Sequence, residues 1–186
     1  MLRTKLFLLG VFLSTISAFG GEIFYSNGQL RLFFGQSANR QSLPPTQAAE
    51  QFLAEYFSDL PQGFRWVKVR EISDTTHTHL DFELHFGDLP VLESRLRLHY
   101  NKKAYIDYAT NPVAHAIQVP QPSTRQVLSE SEIRARYTKQ YRKGTGTFKV
   151  TAEPAYFFKK DGTLIRVFDV YVLHAEPMST RHFIVD

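Results

Sequence analysis

The chain of 186 residues contains no cysteine, so no disulfide can hold it together. Its stability has to come from a buried core. A compact chain of this length buries roughly 70% of the surface that its unfolded form exposes, which is enough to build one. Aromatic residues make up 14% of the chain, a content typical of folded proteins and not of disordered ones.

A stripe of basic residues is also missing. The calculated pI is about 9.3, but residues 1–20 hold two of the 22 basic residues and none of the 18 acidic ones. Without them the net charge is only +2, and the remaining Lys and Arg alternate with acids. Nucleic-acid binders concentrate their positive charge. We therefore expect no nucleic-acid partner.

No apolar run reaches the ~20 residues that a membrane-spanning helix needs. The run "LFLLGVFLSTI" follows Arg3 and Lys5, and small residues come after it. This pattern is typical of a signal peptide, and we expect cleavage between Gly20 and Gly21 or close to it. An uncleaved anchor is the alternative, but the run is short for it. The chain is therefore predicted to be secreted or periplasmic, with no membrane attachment after cleavage, and the lack of cysteine favours a bacterial source.

The motifs of several enzyme classes are absent. The sequence has no Gly-x-Ser-x-Gly, no phosphate-binding Gly-rich loop and no His-Glu-x-x-His zinc helix. Paired carboxylates occur at Asp81 and Glu83 on one strand face, and at Glu130 and Glu132, where helix capping explains them. We expect a chain without catalytic residues and without a cofactor.

Three of the seven histidines lie in the stretch "THTHLDFELHF", residues 76–86. Histidines two apart share one face of a strand, and that spacing can hold zinc. His77, His79 and His99 are therefore weak candidates for a metal site. The alternative is that neighbouring acids and arginines satisfy these histidines at the surface of a sheet, and it is the interpretation that we prefer.

Alternation of apolar and polar residues predicts strands through this region. Leu80, Phe82 and Leu84 alternate with polar residues, and the same pattern recurs in "SRLRLHY". We expect an antiparallel hairpin across "GDLPVLE", with Glu83 opposite Arg95 or Arg97. Further strands are predicted in residues 22–35 around an Asn27-Gly28 turn, and in "AYIDY", "AYFFK", "TLIRVFDVYVLH" and "RHFIVD".

Two helices are predicted. In "LPPTQAAEQFLAEYF", Thr46 is the expected N-cap of a helix with one apolar stripe. In "LSESEI", Ser129 and Glu132 form a capping box that opens a helix ending near Tyr141. Residues 109–126 carry three prolines and no periodicity, as a linker does. The predicted fold is α+β, with two small units that each pack a helix on an antiparallel sheet.

These segments resemble the prosegments of secreted thermolysin-like and fungalysin-like metalloproteases. Residues 44–108, with "THLDFELHFGDLPV" and "LRLHYNKK", resemble the fungalysin/thermolysin propeptide domain. Residues 127–186, with "LSESEI" and "DGTLIRVFDVYVLH", resemble a PepSY domain. The expected organisation is therefore a signal peptide (1–20), a hairpin and loop (21–43), these two domains, and the linker (109–126) between them. Residues 92–94 and 102–104 depart from the family, which usually has small residues, often glycine, in the first of these turns and Asp-Gly in the second.

The resemblance implies a prosegment that helps its protease to fold and covers the active cleft as an inhibitor. Its partner would be the catalytic domain of that metalloprotease, contacted by Phe183, Val185 and Asp186 in the last predicted strand. The resemblance also implies that His79 and His99 are framework residues, not metal ligands. The alternative is a free-standing secreted binding or protease-inhibitor module built from the same domains.

Overall fold

The structure, a computed structural model, describes these residues: 22–26, 29–36, 43–113, 117, 128–142, 147–175 and 178–186. The predicted signal peptide, with Gly20 and Gly21, lies outside them. So do the predicted turn at Asn27-Gly28 and most of the predicted linker.

Two antiparallel sheets and two helices make up the described part of the chain. The larger sheet holds seven strands: β1 (Glu22–Ser26), β2 (Gln29–Phe34), β3 (Phe64–Ser73), β4 (His77–Phe86), β5 (Leu89–Pro90), β6 (Leu96–Asn101) and β7 (Tyr105–Thr110). Helix α1 (Pro45–Tyr56) packs on this sheet. Helix α2 (Glu130–Tyr141) packs on the smaller sheet, which is formed by β8 (Phe148–Phe158), β9 (Leu164–His174) and β10 (Ser179–Val185). The predicted α+β class, with a helix on each antiparallel sheet, is confirmed.

The larger sheet has the strand order β1-β2-β7-β6-β4-β3, with β5 beside β4. The predicted hairpin of β4 and β6 is antiparallel and places Leu80 opposite Leu98 and Asp81 opposite Arg97. Leu80, Leu98 and their alternate neighbours are buried beneath α1. The other face of the sheet carries the histidines, the acids and the arginines, because side chains alternate between the two faces of a strand.

Helix α1 begins two residues earlier than predicted. Pro44 is at the N-cap without a side-chain cap bond, and Pro45 opens the helix, so the predicted N-cap Thr46 is wrong. Proline suits this position because its missing N–H would have no partner there. Thr46 Oγ1 instead accepts a hydrogen bond from Lys68 Nζ at 2.9 Å and donates one to Glu71. The apolar stripe packs as predicted, with Ala49, Phe52 and Phe57 buried.

The capping box of α2 is confirmed. Ser129 Oγ accepts from the backbone N–H of Glu132, and the Glu132 carboxylate accepts from the Ser129 N–H at 2.7 Å. Strand β8 is longer than predicted, because it starts at Phe148 and not at Ala155. Pro154 lies inside it, which a strand at a sheet edge tolerates since no ladder bond is needed on its outer side.

The two sheets share a core at one junction. Phe64, Leu84 and Val91 of the larger unit form a buried cluster with Leu164 of β9, and the side chains of Val113 and Ile117 complete it. The Leu92 N–H donates to the Tyr156 carbonyl at 2.8 Å, which ties the turn after β5 to β8. Residues 109 and 110 end β7, and Val113 and Ile117 are buried, so the start of the predicted linker belongs to the packed structure.

Among the described residues other than glycine, Glu93 at φ 58° and Ala104 at φ 68° have left-handed backbone. Glu93 lies in the turn after β5, and Ala104 lies in the turn between β6 and β7. A side chain in this conformation costs about 1 kcal/mol relative to glycine. Replacing Ala104 by glycine should therefore raise the free energy of unfolding by roughly that amount, measured by urea denaturation. Ala54→Gly in helix α1 is the control, because glycine there should lower stability by about 1 kcal/mol.

Candidate functional site

Five side chains stand in one line across the face of the larger sheet that α1 does not cover. We call this line the open-face row. In the register of five neighbouring strands, each member lies directly opposite the next: Phe34, Tyr108, His99, His79 and Ile72. The ring centroids of Tyr108 and His99 are 4.8 Å apart, and those of His99 and His79 are 4.6 Å apart. The row thus places rings side by side over much of the sheet.

Two histidines, His79 in this row and His77 beside it, are bound by carboxylates. His77 Nε2 lies 2.9 Å from Asp107 Oδ2, and His79 Nε2 lies 2.8 Å from Asp74 Oδ2. Asp107 reaches His77 because the register of β6 and β7 shifts between His99 and Tyr100, which leaves Asp107 without a direct cross-strand partner. Asp74 also accepts backbone N–H bonds, and these bonds together with His79 hold its pKa below the usual range.

His99 is the centre of the row and differs from its neighbours. No hydrogen bond to its ring is made within the described part of the chain, and it touches His79, His77 and Tyr108 through ring contacts. Burial, and then the charge of His79, lower the pKa of His99. Its imidazole is therefore neutral at neutral pH and keeps both a donor and an acceptor for another molecule.

The three predicted metal candidates are close together, with ring centroids 4.6 to 6.1 Å apart. The rings of His77 and His79 are already engaged by carboxylates. Among the described residues, no group of three or more His, Asp or Glu side chains is arranged to hold a metal ion. The expectation that His77, His79 and His99 are not metal ligands stays a prediction.

Zinc should accordingly bind the mature chain no tighter than about micromolar, because the Nε2 atoms of His77 and His79 are already bonded to carboxylates and no three ligand side chains among the described residues are arranged to hold a metal. Calorimetric titration of zinc into the metal-free protein measures this affinity. A tight site with one zinc per chain that is lost in His79→Ala would contradict the prediction.

A second line of side chains, Arg70, Asp81 and Arg97, runs beside the open-face row, and we call it the charged row. Asp81 accepts two hydrogen bonds from Arg97, at 2.7 and 3.2 Å, and Arg70 lies opposite Asp81 on its other side. The Arg97 guanidinium holds the pKa of Asp81 below its usual range. The Asp81 side chain is only 3% exposed whereas that of Arg97 is 46% exposed, so the pair presents its positive partner to solvent.

Two shallow depressions lie on either side of His99. One, of about 300 Å³, is lined by Arg70, Ile72, His79, Asp81, Arg97 and His99. The other, of about 420 Å³, is lined by Phe34, Gly35, His77, His99, Asp107 and Tyr108. The first combines arginines with imidazoles, and the second is mostly ring surface. Together they can hold a charged group and an apolar group of the same ligand.

The lowered pKa of His99 predicts a loss of stability on acidification. The unfolded chain takes up this proton near pH 6.5 and the folded chain only at lower pH, so stability is complete above about 6.5 and falls below it. His85 is half-buried, and because burial lowers its pKa as well, it acts in the same direction. Urea denaturation at about pH 7.5 and pH 5.5 should show a smaller loss for His99→Gln than for the native chain. An equal loss in both would contradict this assignment.

The predicted protease contacts lie on β10, at the edge of the smaller sheet. Phe183 and Val185 are half-buried and pack on the core beneath α2, where the Phe183 ring lies 5.1 Å from Tyr137 and 5.5 Å from Tyr141. Asp186 is exposed. On the other face, His182 stacks on Tyr171 and its Nε2 pairs with Asp169. The side chains of Phe183 and Val185 are therefore used within the chain's own core.

Several members of the site could not be read from the sequence. Tyr108, Phe34 and Ile72 are ordinary strand residues in the sequence, and Arg70 is one of many arginines. Only their cross-strand register brings them beside the histidines. The sequence signal was limited to the polar faces of β4 and β6.

No family model matches the chain, and none of the curated proteins matches it. Neither helix in the described residues has the length and apolar character that crossing a membrane requires.

Proposed function

We propose that this chain is the prosegment of a secreted zinc metalloprotease, which it helps to fold and which it inhibits. The zinc-binding catalytic residues lie outside these 186 residues, and the prosegment itself carries out no catalysis. Its proposed location is extracellular or periplasmic, and its proposed partner is the catalytic domain of the protease.

The observation that supports this proposal most is the position of β10. It pairs with β9 on one side and stands at the end of the order β10-β9-β8 in the described part of the chain. The side chains of Phe183 and Val185 pack inward, so the free edge of the strand offers mainly a row of backbone N–H and C=O groups. A protease cleft that binds extended substrates can pair with such an edge by strand addition.

The shared core at the junction supports the inhibitory part of the proposal. A strand binds more tightly when it is held in shape before binding, because less conformational entropy is then lost. β10 is fixed to β9 over seven residue pairs, and β9 begins at Leu164 in the cluster shared with the larger unit. The larger unit thus stiffens the strand that would enter the cleft.

The test is to add residues 21–186 to thermolysin and to the metalloproteases secreted by the same organism. The chain should inhibit at least one of these enzymes and raise the recovery of its activity after denaturation. A trypsin-like serine protease is the class control and should be unaffected. If neither activity nor recovery of any of the metalloproteases changes, the proposal is wrong.

Two proline variants test whether the backbone edge makes the contact. Neighbouring residues of a strand direct their N–H groups to opposite sides, so one of Thr180→Pro and Arg181→Pro removes a bond to β9 and the other removes an outward N–H. The variant that keeps its melting temperature should lose inhibition at least about tenfold. Arg181→Ala controls for the lost side chain, which lies 5.2 Å above the Tyr141 ring. Full inhibition by both proline variants would contradict edge pairing.

A free-standing binding module is the second candidate, and the open-face row favours it. Phe34 is 61% exposed at one end of the row, beside a depression lined mostly by rings. Whether the reading frame continues into a His-Glu-x-x-His helix distinguishes the two candidates.

A further inference from the structure

The open-face row and the charged row together have the shape and charge of a peptide-binding surface. Phe34 and Ile72 lie on strands four spacings apart, which is about 19 Å at about 4.8 Å per spacing. An extended peptide rises about 3.3 Å per residue, so about six residues would cover the row.

Positive charge lies at one end of this surface. Arg97 stands above Asp81, and Arg95, whose side chain is 51% exposed, stands above Glu83, whose side chain is 26% exposed. Arg70 is exposed and has no hydrogen-bond partner among the described residues. Because the carboxylates are the more buried partners, the groups that an incoming molecule meets first are guanidiniums, which bind carboxylates with directed hydrogen bonds.

Ring surface lies at the other end. Tyr108 and Phe34 are in edge contact at 6.4 Å, and Phe34 is largely exposed. Between the two ends, the neutral ring of His99 has no hydrogen-bond partner in the described chain, so a peptide N–H or C=O can bind it.

We propose that this face binds an extended acidic peptide segment of a partner protein, with carboxylates between Arg70 and Arg97 and an aromatic side chain over Tyr108 and Phe34. Single-stranded nucleic acid also combines negative charge with rings, but it is the poorer fit. A nucleic acid carries a charge on every phosphate, so phosphates beyond Arg70 and Arg97 would lie beside the carboxylates of Asp74 and Asp107. A peptide can instead place its few carboxylates at the arginines alone. The proposal goes beyond the prosegment function, because this face belongs to the larger unit and β10 to the smaller one.

The probe is the hexapeptide Glu-Asp-Gly-Ser-Phe-Tyr with both ends blocked, titrated into residues 21–186 and followed by amide chemical shifts. Two matched peptides replace the acids by Gln-Asn or the rings by Ala-Ala. The parent peptide should shift the amides of β4, β6 and β7, and each replacement should weaken binding at least about fivefold. Binding should also weaken as salt is added, because the carboxylate contacts are exposed to solvent.

The protein variants identify the site. Arg70→Gln should weaken the parent peptide about fivefold, Arg70→Lys less, and Arg134→Gln on α2 not at all. Arg70 and Arg134 are both exposed, so each variant should keep its melting temperature. Equal binding of the acidic and amide peptides, no effect of Arg70→Gln, no binding of the parent at millimolar concentration, or tighter binding of citrate or of a six-nucleotide oligothymidylate would each overturn the proposal. No protease is present, so failure here leaves the prosegment proposal unaffected.

Discussion

Replacing Arg97 by alanine should lower the free energy of unfolding by about 3 kcal/mol, the lower end of the cost of breaking a buried ion pair. The Asp81 carboxylate, 3% exposed, would stay buried without the guanidinium that donates two hydrogen bonds to it. The cost lies at the lower end because Arg97 itself is 46% exposed, so water can reach part of the site.

Arg95→Ala is the matched control for this variant. It removes the same side chain from the neighbouring position of the same face, but its partner Glu83 is 26% exposed and can be solvated. Its cost should stay below about 1 kcal/mol. Urea denaturation at neutral pH measures both variants. If Arg97→Ala costs no more than Arg95→Ala, Asp81 does not depend on its arginine.

Acid titration tests the ion pair of Asp81 and Arg97 in a second way. Arg97 lowers the pKa of Asp81 in the folded state, so this contribution to stability is present above the unfolded pKa of about 3.8 and is lost as the pH falls below it. In Arg97→Ala the carboxyl should protonate at higher pH than in the native chain. Carbonyl-region NMR of the Asp81 carboxyl follows this change.

Leu164→Ala should lower the free energy of unfolding by about 3 kcal/mol and destabilise both units at once. Leu164 is 3% exposed and belongs to the cluster with Phe64, Leu84 and Val91 of the larger unit. Removing a buried leucine side chain costs about 2–5 kcal/mol, because contacts are lost and a cavity remains. The loss should appear in a single transition, since the cluster belongs to both units.

Two probes can detect whether the units unfold together. The single tryptophan, Trp66, packs against this cluster from the larger sheet, and its fluorescence reports on that unit. Circular dichroism reports on both units. The two curves should coincide in the native chain and in Leu164→Ala, and Leu173→Ala, at a 39% exposed position of the same strand, should cost under about 1 kcal/mol. Separate transitions would show that the junction does not couple the units.

This coupling affects the design of functional tests. Deleting residues 127–186 would remove Leu164 and Tyr156 from the shared cluster and expose Val91 and Leu84 of the larger unit. A truncated chain could then fail to inhibit because it unfolds. Point variants of β10 in the full chain avoid this difficulty, because they leave the junction intact.

The sheets and helices were predictable where one local pattern decides the structure. Alternation in "THLDFELHF" separates Leu80 and Phe82 from the polar face, and their burial under α1 follows from it. The Ser129 and Glu132 capping box fixes the start of α2. The prediction of Thr46 as the N-cap of α1 was wrong because two prolines precede it. Pro45 occupies the first helical position, where its missing N–H costs nothing.

The site was less predictable, because it depends on register between distant strands. The line from Phe34 to Ile72 crosses five strands, and the irregularity at Asp107 in β7 decides which carboxylate meets His77. The junction between the two units was equally hard to predict from the sequence. Val91 comes directly after β5, and nothing in the local sequence indicates that it pairs with Tyr156, 65 positions away. Such contacts arise from packing of the whole chain.

Amide hydrogen exchange of the full mature chain, with and without thermolysin or another metalloprotease that the chain inhibits, tests strand addition at β10 most directly. Exchange is slowed where an amide gains a hydrogen bond. We predict that the protease slows alternate amides of Ser179–Val185, those whose N–H groups point away from β9, and leaves the exchange of β1 and β3 at the edges of the larger sheet unchanged. If protection appears on other strands and β10 exchanges as it does alone, the protease is not bound through this edge.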